Sequence, residues 1–228
     1  MKIKYDLHVH SALSPCADND MTPVNVVAYA KLNGLDMVAI SDHNAIGNVE
    51  VALKAGEAFG ITVVPAIEVQ TLEDIHILCL FKNYVSLKAF YETLTLPTIK
   101  NQKDIFGDQL VFDEDDNVIS TYENLLLVSA DVSSYDLPKL VKSMEGIAIP
   151  AHIDRDENGM LSILGVVEDV YDVVEFSLKA NKEIIENYKK EYKILINSDA
   201  HTLFDIGKDN VIELRENSIE ALFEYLRG

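Results

Sequence analysis

The stretch YDLHVH, residues 5–10, is an apolar β-type run that turns polar at its end and carries His8 and His10 two positions apart. On a strand, positions i and i+2 point to the same side, so both imidazoles can reach one ion. The same layout recurs near the other end of the chain, where KILIN runs directly into Ser198-Asp199-Ala200-His201. Between them, His43 ends VAISDH, His76 lies in IHILCLF and His152 lies in IPAHID. These six are all the histidines of the chain. A lone H-x-H is weak evidence of a metal site. An H-x-H with a D-x-H and three further histidines at or near strand ends points to one composite site gathered from several strands. Neutral imidazole and carboxylate are the usual ligands of zinc, manganese and iron.

Working outward, strand-like and helix-like segments alternate. Residues 3–9 read as a strand, and Thr22-Pro23 supplies an N-cap and first-turn proline for a helix running to Gly34. Residues 36–41 form a second strand, and NVEVALKAGEAFG a helix closing at Gly60. ITVVPAIEV (61–69) and DIHILCLF (74–81) follow as consecutive strands, and Ser86 is placed to cap the helix SLKAFYETL. Residues 107–120 carry two apolar runs around Asp115-Asp116-Asn117, which predicts a β-hairpin inserted outside the main sheet. Helical periodicity returns around Leu137–Met144. Short strands follow at 147–151, 172–176 and 194–197, and VIELR and SIEALFEYLR close the chain. The absence of repeats and low-complexity linkers predicts one domain over residues 1–228.

Strands separated by helices imply parallel pairing, and their continuous apolar character suits burial on both faces. Polar groups at so many strand ends favour a closed barrel over an open sheet, because a barrel gathers its strand ends around one mouth.

The chain has 228 residues, 48% of them hydrophobic, and a formal net charge of −19 from 38 acidic and 19 basic residues. Such a surface repels polyanions, so no stable nucleic-acid binding is expected. With only Cys16 and Cys79, a disulfide framework is improbable and a reducing, cytoplasmic setting is expected. No apolar run approaches the roughly 18 residues that span a membrane, and the start MKIKYDLHVH lacks the core of a secretory signal.

Taken together, YDLHVHSALSPC, VAISDHN, AIEV, DIHILCLF, IPAHIDR and INSDAH closely resemble the PHP (polymerase and histidinol phosphatase) family of metal-dependent phosphoesterases, over nearly the whole chain. The resemblance implies a distorted (βα)7 TIM-like barrel holding two or three divalent ions, manganese, zinc or iron, at its mouth. It assigns His8, His10, Glu68 and Asp199 to one ion, and His43 and His201 to a second. Glu68, His76 and His152 fall to a third, with Glu68 bridging. The second ion lacks the further histidine or aspartate common in the family. Cys16, Asp18, Asp20 and solvent compete for that place, with Asp18 preferred. Asp42 resembles the family's T/S-D-H motif and reads as a supporting partner.

Glu68, His201 and Arg155 are the candidate catalytic residues. Arg155 is suited to gripping phosphate with its planar guanidinium or, on the blander reading, pairs with Asp154 or Asp156. The implied reaction is attack of a metal-activated water on phosphorus, with an active-site histidine or metal-bound water protonating the leaving alcohol. The length fits a stand-alone enzyme acting on a small phosphomonoester of nucleotide or histidinol-phosphate type. A phosphodiesterase or exonuclease on short nucleic acid, and a non-catalytic metal-binding module, are the alternatives.

Overall fold

The computed structural model describes residues 1–207 and 209–228. β1 (Lys2–Val9) leads to α1 (Pro23–Leu32), β2 (Met37–Ile40) and α2 (Val49–Phe59). β3 (Thr62–Val63), β4 (Ala66–Gln70) and β5 (His76–Leu80) precede α3 (Tyr84–Tyr91). An insertion follows, made of α4 (Lys103–Phe106), β6 (Leu110–Phe112) and β7 (Val118–Thr121). The last part runs α5 (Leu137–Ser143), β8 (Ile147–Pro150), α6 (Met160–Leu164), β9 (Val173–Ser177), α7 (Lys182–Tyr188) and β10 (Lys193–Asn197). It ends in β11 (Val211–Glu213) and α8 (Ile219–Arg227).

The fold is mixed α/β with a curled sheet. β1, β2 and β3 pair in parallel, as do β9 and β10. Bridges Val9–Ala200 and His43–Glu68 tie the ends of these groups together. The expectation of parallel pairing throughout is corrected at three places, because β4–β5, β5–β8 and β1–β11 are antiparallel. The connection Thr71–Ile75 is too short for a crossover helix, and Asp74 turns it with a φ of 69°. The run 61–69 is likewise two strands. Pro65 has no N–H to give a ladder, and the chain breaks there. Asn83, not Ser86, caps α3; its side chain accepts a hydrogen bond from the Ser86 N–H.

The curl has a packed interior. Ile3, Tyr5 and Leu7 of β1 meet Met37 and Ala39 of β2, Ala66 of β4, Leu78 and Leu80 of β5, Val173 of β9 and Leu195 of β10 in one buried cluster. Leu222, Phe223 and Leu226 of α8 close its floor. The alternate residues face outward. Val38 and Ile40 pack with α1 and α2, and Ile67, Val69, Ile77, Cys79, Val174 and Phe176 pack with α3, α5 and α7. This two-sided burial is why the strands lack polar alternation.

Gly56 marks the closest helix-to-strand approach. A Cβ there would lie 2.5 Å from a Val63 methyl and 2.9 Å from the Ile61 carbonyl oxygen. Gly56→Ala is therefore expected to cost about 1–3 kcal/mol of stability by overpacking. A urea midpoint equal to that of the parent protein would show that α2 can slide off β3.

The hairpin forms as expected, with Leu110 opposite Thr121, as a separate two-stranded ribbon. It docks on the loop after β1. The Leu110 N–H donates to the Ala12 carbonyl, and the Phe112 N–H to Asn48 Oδ1. Gly107, with a φ of 105°, approaches Pro15 so closely that a Cβ would lie 2.0 Å from its carbonyl oxygen. No helix among the described residues is long and apolar enough to cross a membrane.

Candidate metal centre

Glu68 and His76 continue the inner faces of β4 and β5 beyond the apolar interior, and Glu175 and Asn197 do the same on β9 and β10. Because β5 runs antiparallel, its first residue rather than its last lies at the mouth. That explains why His76 opens a strand while the other histidines lie at or just beyond the ends of theirs. The pairing of β1 with β2 shifts register between Asp6 and Val9, and beyond the shift His8 and His10 reach the same centre.

Five imidazoles converge on Glu68. Its Oε1 lies 3.2 Å from His8 Nε2, 3.1 Å from His76 Nδ1 and 3.3 Å from His152 Nε2. Its Oε2 lies 2.8 Å from His43 Nδ1 and 3.5 Å from His10 Nε2. Asp199 Oδ1 lies 2.9 Å from His10 Nε2 and 3.4 Å from His8 Nε2. Among the described residues, both Glu68 oxygens, His8 Nε2 and His43 Nδ1 are buried yet make no well-aligned hydrogen bond. They are close but aimed past one another at shared points. Two atoms each ~2.1 Å from one tetrahedral ion sit about 3.4 Å apart, so this spacing suits shared cations better than hydrogen bonds. Ligand-type atoms fall within 4.8 Å of one another in three sets: His8, His10 and Glu68; His43, Glu68 and His76; His10, His43 and His201. The residues present therefore fit a multinuclear divalent centre.

The surrounding groups fix which nitrogen faces the centre. His8 Nδ1 lies 2.9 Å from Glu175 Oε1, and a carboxylate can only accept, so Nδ1 keeps a proton and Nε2, facing Glu68, is the nitrogen that can give up its proton to an ion. Ser14 Oγ donates its one hydrogen to Asp42 and must accept from His10 Nδ1, which leaves His10 Nε2 free. His201 Nδ1 donates to the Asp199 carbonyl at 2.8 Å. In the metal-free state, burial opposes charge on Glu68, but His76, His8 and His43 outweigh it and hold its carboxyl well below the usual range. Burial likewise disfavours a charged His8, yet Glu175, Glu68 and Asp199 raise it well above an ordinary imidazole. His10 is pushed well below, by burial and by His201 and His43.

His152 and Asp199 adopt left-handed backbone, with φ of 30° and 52°, as does Asn44 beside His43, at 48°. Strain at non-glycine residues is tolerated where the surroundings dictate it, and here it gathers at the mouth. Asn44 helps to dictate it, donating to the Leu126 and Val128 carbonyls and accepting from the Gln70 N–H.

Eight of the nine sequence-derived ligand candidates meet here: His8, His10, His43, Glu68, His76, His152, Asp199 and His201. Asp18 is not brought in. Its side chain is exposed and lines an acidic cleft with Asp20, Asp104 and Asp108, and only its backbone N–H touches the site, through the His201 carbonyl. Arg155 reaches the site by pairing with Asp199, Nη1 to Oδ2 at 2.5 Å, rather than with Asp154 or Asp156. Asp154 is instead taken by the Ser177 N–H and hydroxyl. Cys16 is exposed and is not brought in with these ligand atoms; desolvation and the Glu68 and Asp199 carboxylates push its thiol up to about 12.

Glu175 escaped the sequence reading. Within DVVEF it looks like the polar interruption of a strand, yet it is fully buried. It accepts from His8 Nδ1, the His152 N–H and Asn197 Nδ2, all donors. Glu175→Gln places an amide NH2 among them, and is expected to weaken metal binding about 10- to 100-fold. Titration of the metal-free variant with zinc checks this; an unchanged affinity would show that Glu175 is merely structural.

The PHP domain family matches residues 6–206 of the chain. A 5'-3' exoribonuclease of Haemophilus influenzae is 34% identical over 71 residues, 31% of this chain and 25% of that protein. The chain spans 63% of another curated relative, 36% identical over 109 residues. Among solved structures, the lesion-specific endonuclease Q from Pyrococcus furiosus superposes with a TM-score of 0.77 at 20% identity, over all of this chain and 56% of that one. A putative metal-dependent phosphoesterase from Bifidobacterium adolescentis gives 0.60 at 18% identity, covering 99% and 96%. With the match extending over nearly the whole chain and the imidazoles gathered on Glu68, the chain belongs to the PHP domain family.

Proposed function

We propose that the chain is a phosphoesterase that hydrolyses a small phosphomonoester. On this reading the curled sheet is a distorted (βα)7 barrel. His8, His10, Glu68 and Asp199 hold one ion, His43 and His201 a second, and Glu68, His76 and His152 a third. The observation that carries the substrate reading is the cleft beside Asp199 and His201. It has a volume of about 640 Å³ and is lined by Asp154, Asp156 and Asp205, with Arg155 and Lys179 as its cations. That charge pattern suits one phosphate held at the ions, not a nucleic-acid backbone running across the rim.

The ions, when bound, neutralise charge on the phosphoryl oxygens and activate the water that attacks phosphorus. The protein supplies orientation. Glu175 and Ser14 hold the His8 and His10 rings, and Arg155, half-exposed, is free to swing from Asp199 to a phosphate oxygen. His201 has the most exposed side chain of the six imidazoles, and with Nδ1 committed to the Asp199 carbonyl its Nε2 is the nitrogen left for the second ion, so the leaving oxygen takes its proton from water. The acidic hairpin, docked on the loop after β1, narrows access for long polyanions.

Arg155→Ala removes a charge-assisted contact worth about 1.5–3 kcal/mol. It is expected to lower kcat/KM roughly ten- to a hundredfold with metal content unchanged. If kcat/KM holds, the ions alone grip phosphate. A second reading, phosphodiester cleavage in short nucleic acid, is favoured by the likeness to endonuclease Q and by the exoribonuclease relative. A panel of nucleotides, bisphosphates, histidinol phosphate and short oligonucleotides, run with manganese, decides between them. Turnover of oligonucleotides alone would overturn the phosphomonoester reading.

A further inference from the structure

β1 and β10 lead into the two ligand pairs, His8 with His10 and Asp199 with His201, yet the two strands form no ladder. β1 pairs with β2 and β11, and among the described strands β10 pairs with β9 alone. Side chains close the gap instead. The Ile196 N–H donates to Tyr5 Oη at 3.2 Å, and the Leu7 N–H donates to Asn197 Oδ1 at 2.8 Å. The Ser198 N–H and the Ser198 hydroxyl both donate to Asp6, at 3.1 and 2.5 Å. Further along, a backbone bond joins the two segments, from the His10 N–H to the Ala200 carbonyl at 2.9 Å. In a ladder the backbone fixes the spacing of two strands. Here side-chain length sets it.

Asp6 does more than close the gap. It is wholly buried, and its Oδ2 also accepts from the Gly207 N–H at 2.7 Å. Ser198 and Gly207 are the two ends of the loop that carries Asp199 and His201, so one carboxylate on β1 grips that loop at both ends. The loop returns so close that a Cβ on Gly207 would lie 2.9 Å from Asp6 Oδ2. Between the ends, Asp199 takes left-handed backbone with a φ of 52°, and its Oδ1 reaches His10 Nε2 at 2.9 Å. A non-glycine residue keeps that conformation only when its surroundings hold it. The grip on Ser198, one residue before, supplies the hold.

We propose that Asp6 is a positioning residue: it touches no ion, and through Ser198 and Gly207 it sets where Asp199 and His201 meet His8 and His10. The proposal rests on the reading of the cluster as a metal centre, and it divides that centre in two. The ions assigned to Asp199 and His201 depend on the gripped loop. The position of Glu68, His76 and His152 is built on β4, β5 and the end of β8, and does not.

Asp6→Asn tests this. Whichever way the amide lies, its NH2 faces a donor, and the backbone N–H of either Ser198 or Gly207 loses its acceptor. Zinc titrated into the metal-free variant should bind about 10- to 100-fold more weakly at the positions that use Asp199 and His201. Nitrogen-15 spectra of histidine-labelled protein should show His76 and His152 still responding to zinc as in the parent protein. Unchanged affinity at every position, or a loss shared equally by all of them, would overturn the proposal. Tyr5→Phe loosens the same gap without touching the loop, so it should lower the urea midpoint and leave zinc affinity as in the parent. An equal loss of zinc affinity in Tyr5→Phe would assign the effect to the gap as a whole and overturn the role of Asp6. If Asp6→Asn does not fold, Ser198→Ala removes one of the three donors and should weaken zinc at the same positions; unchanged binding there would overturn the proposal. A parent protein that binds no zinc would overturn the metal-centre reading and the proposal with it.

Discussion

Glu68→Gln is expected to abolish turnover, lowering kcat/KM by at least about a thousandfold, or about 4 kcal/mol of transition-state stabilisation. Its metal content should fall below that of every single-histidine variant. The substitution keeps the shape of the side chain and the pairing of residue 68 with Leu78, so the fold should survive. What changes is the centre of the cluster. A carboxylate offers two oxygens and a negative charge to five imidazoles approaching from four strands. Glutamine offers one oxygen, no charge and an NH2 group aimed at nitrogen lone pairs. One side chain that serves two cations loses both at once. His76→Ala removes one neutral nitrogen and should release one ion, with a much smaller loss of activity. Elemental analysis of both variants beside steady-state kinetics makes the comparison. Equal and mild effects would remove Glu68 from its bridging role.

Much of this site was legible in the chain because ligands at strand ends leave a local mark. H-x-H after an apolar run needs only the two-residue period of a strand to be read, and D-x-H after KILIN needs no more. The strands themselves were legible for a related reason, since burial on both faces removes polar alternation and leaves continuous apolar runs. What stayed hidden depends on contacts distant in sequence. Glu175 touches His8, 167 residues away, and nothing in DVVEF announces it. The antiparallel course of β5 follows from a tight turn at Asp74 that the alternation of strands and helices obscures. Asp18 was preferred over Cys16 as a harder ligand, but the loop after β1 is bent by Ser14 and by the backbone bond to His201, and turns that carboxylate away. Arg155 was placed near the mouth by its distance from His152, while its partner Asp199 lies 44 residues further on.

Asp42→Ala is expected to damage the site and the fold together, although Asp42 faces no ion. Its carboxylate accepts from the Ser11 N–H at 2.7 Å, the Ser11 hydroxyl at 2.6 Å and the Ser14 hydroxyl at 2.7 Å, all buried. Those hydroxyls have one hydrogen each. Committed to Asp42, the Ser14 hydrogen cannot point at His10, so the His10 ring must carry its proton on Nδ1 and present Nε2 to Glu68 and Asp199. Without Asp42 the Ser14 hydroxyl can rotate and donate to His10 Nδ1, which moves the ring proton to Nε2 and blocks the ligand atom. The Ser11 N–H is left buried without a partner, and a cavity opens beside it. Together these should cost about 2–4 kcal/mol of stability. Affinity for the ions that His10 touches should fall roughly 10- to 100-fold, as when a supporting partner of a ligating histidine is lost. Ser14→Ala separates the two effects. It removes the hydroxyl that holds His10 but leaves Asp42 bonded to Ser11, so metal affinity should fall with a smaller loss of stability. Chemical denaturation of the metal-free variants and zinc titration of each give the two quantities independently. If Asp42→Ala destabilises the fold yet binds zinc as the parent protein does, the His10 tautomer is set by the ion itself and not by the Asp42–Ser14 relay.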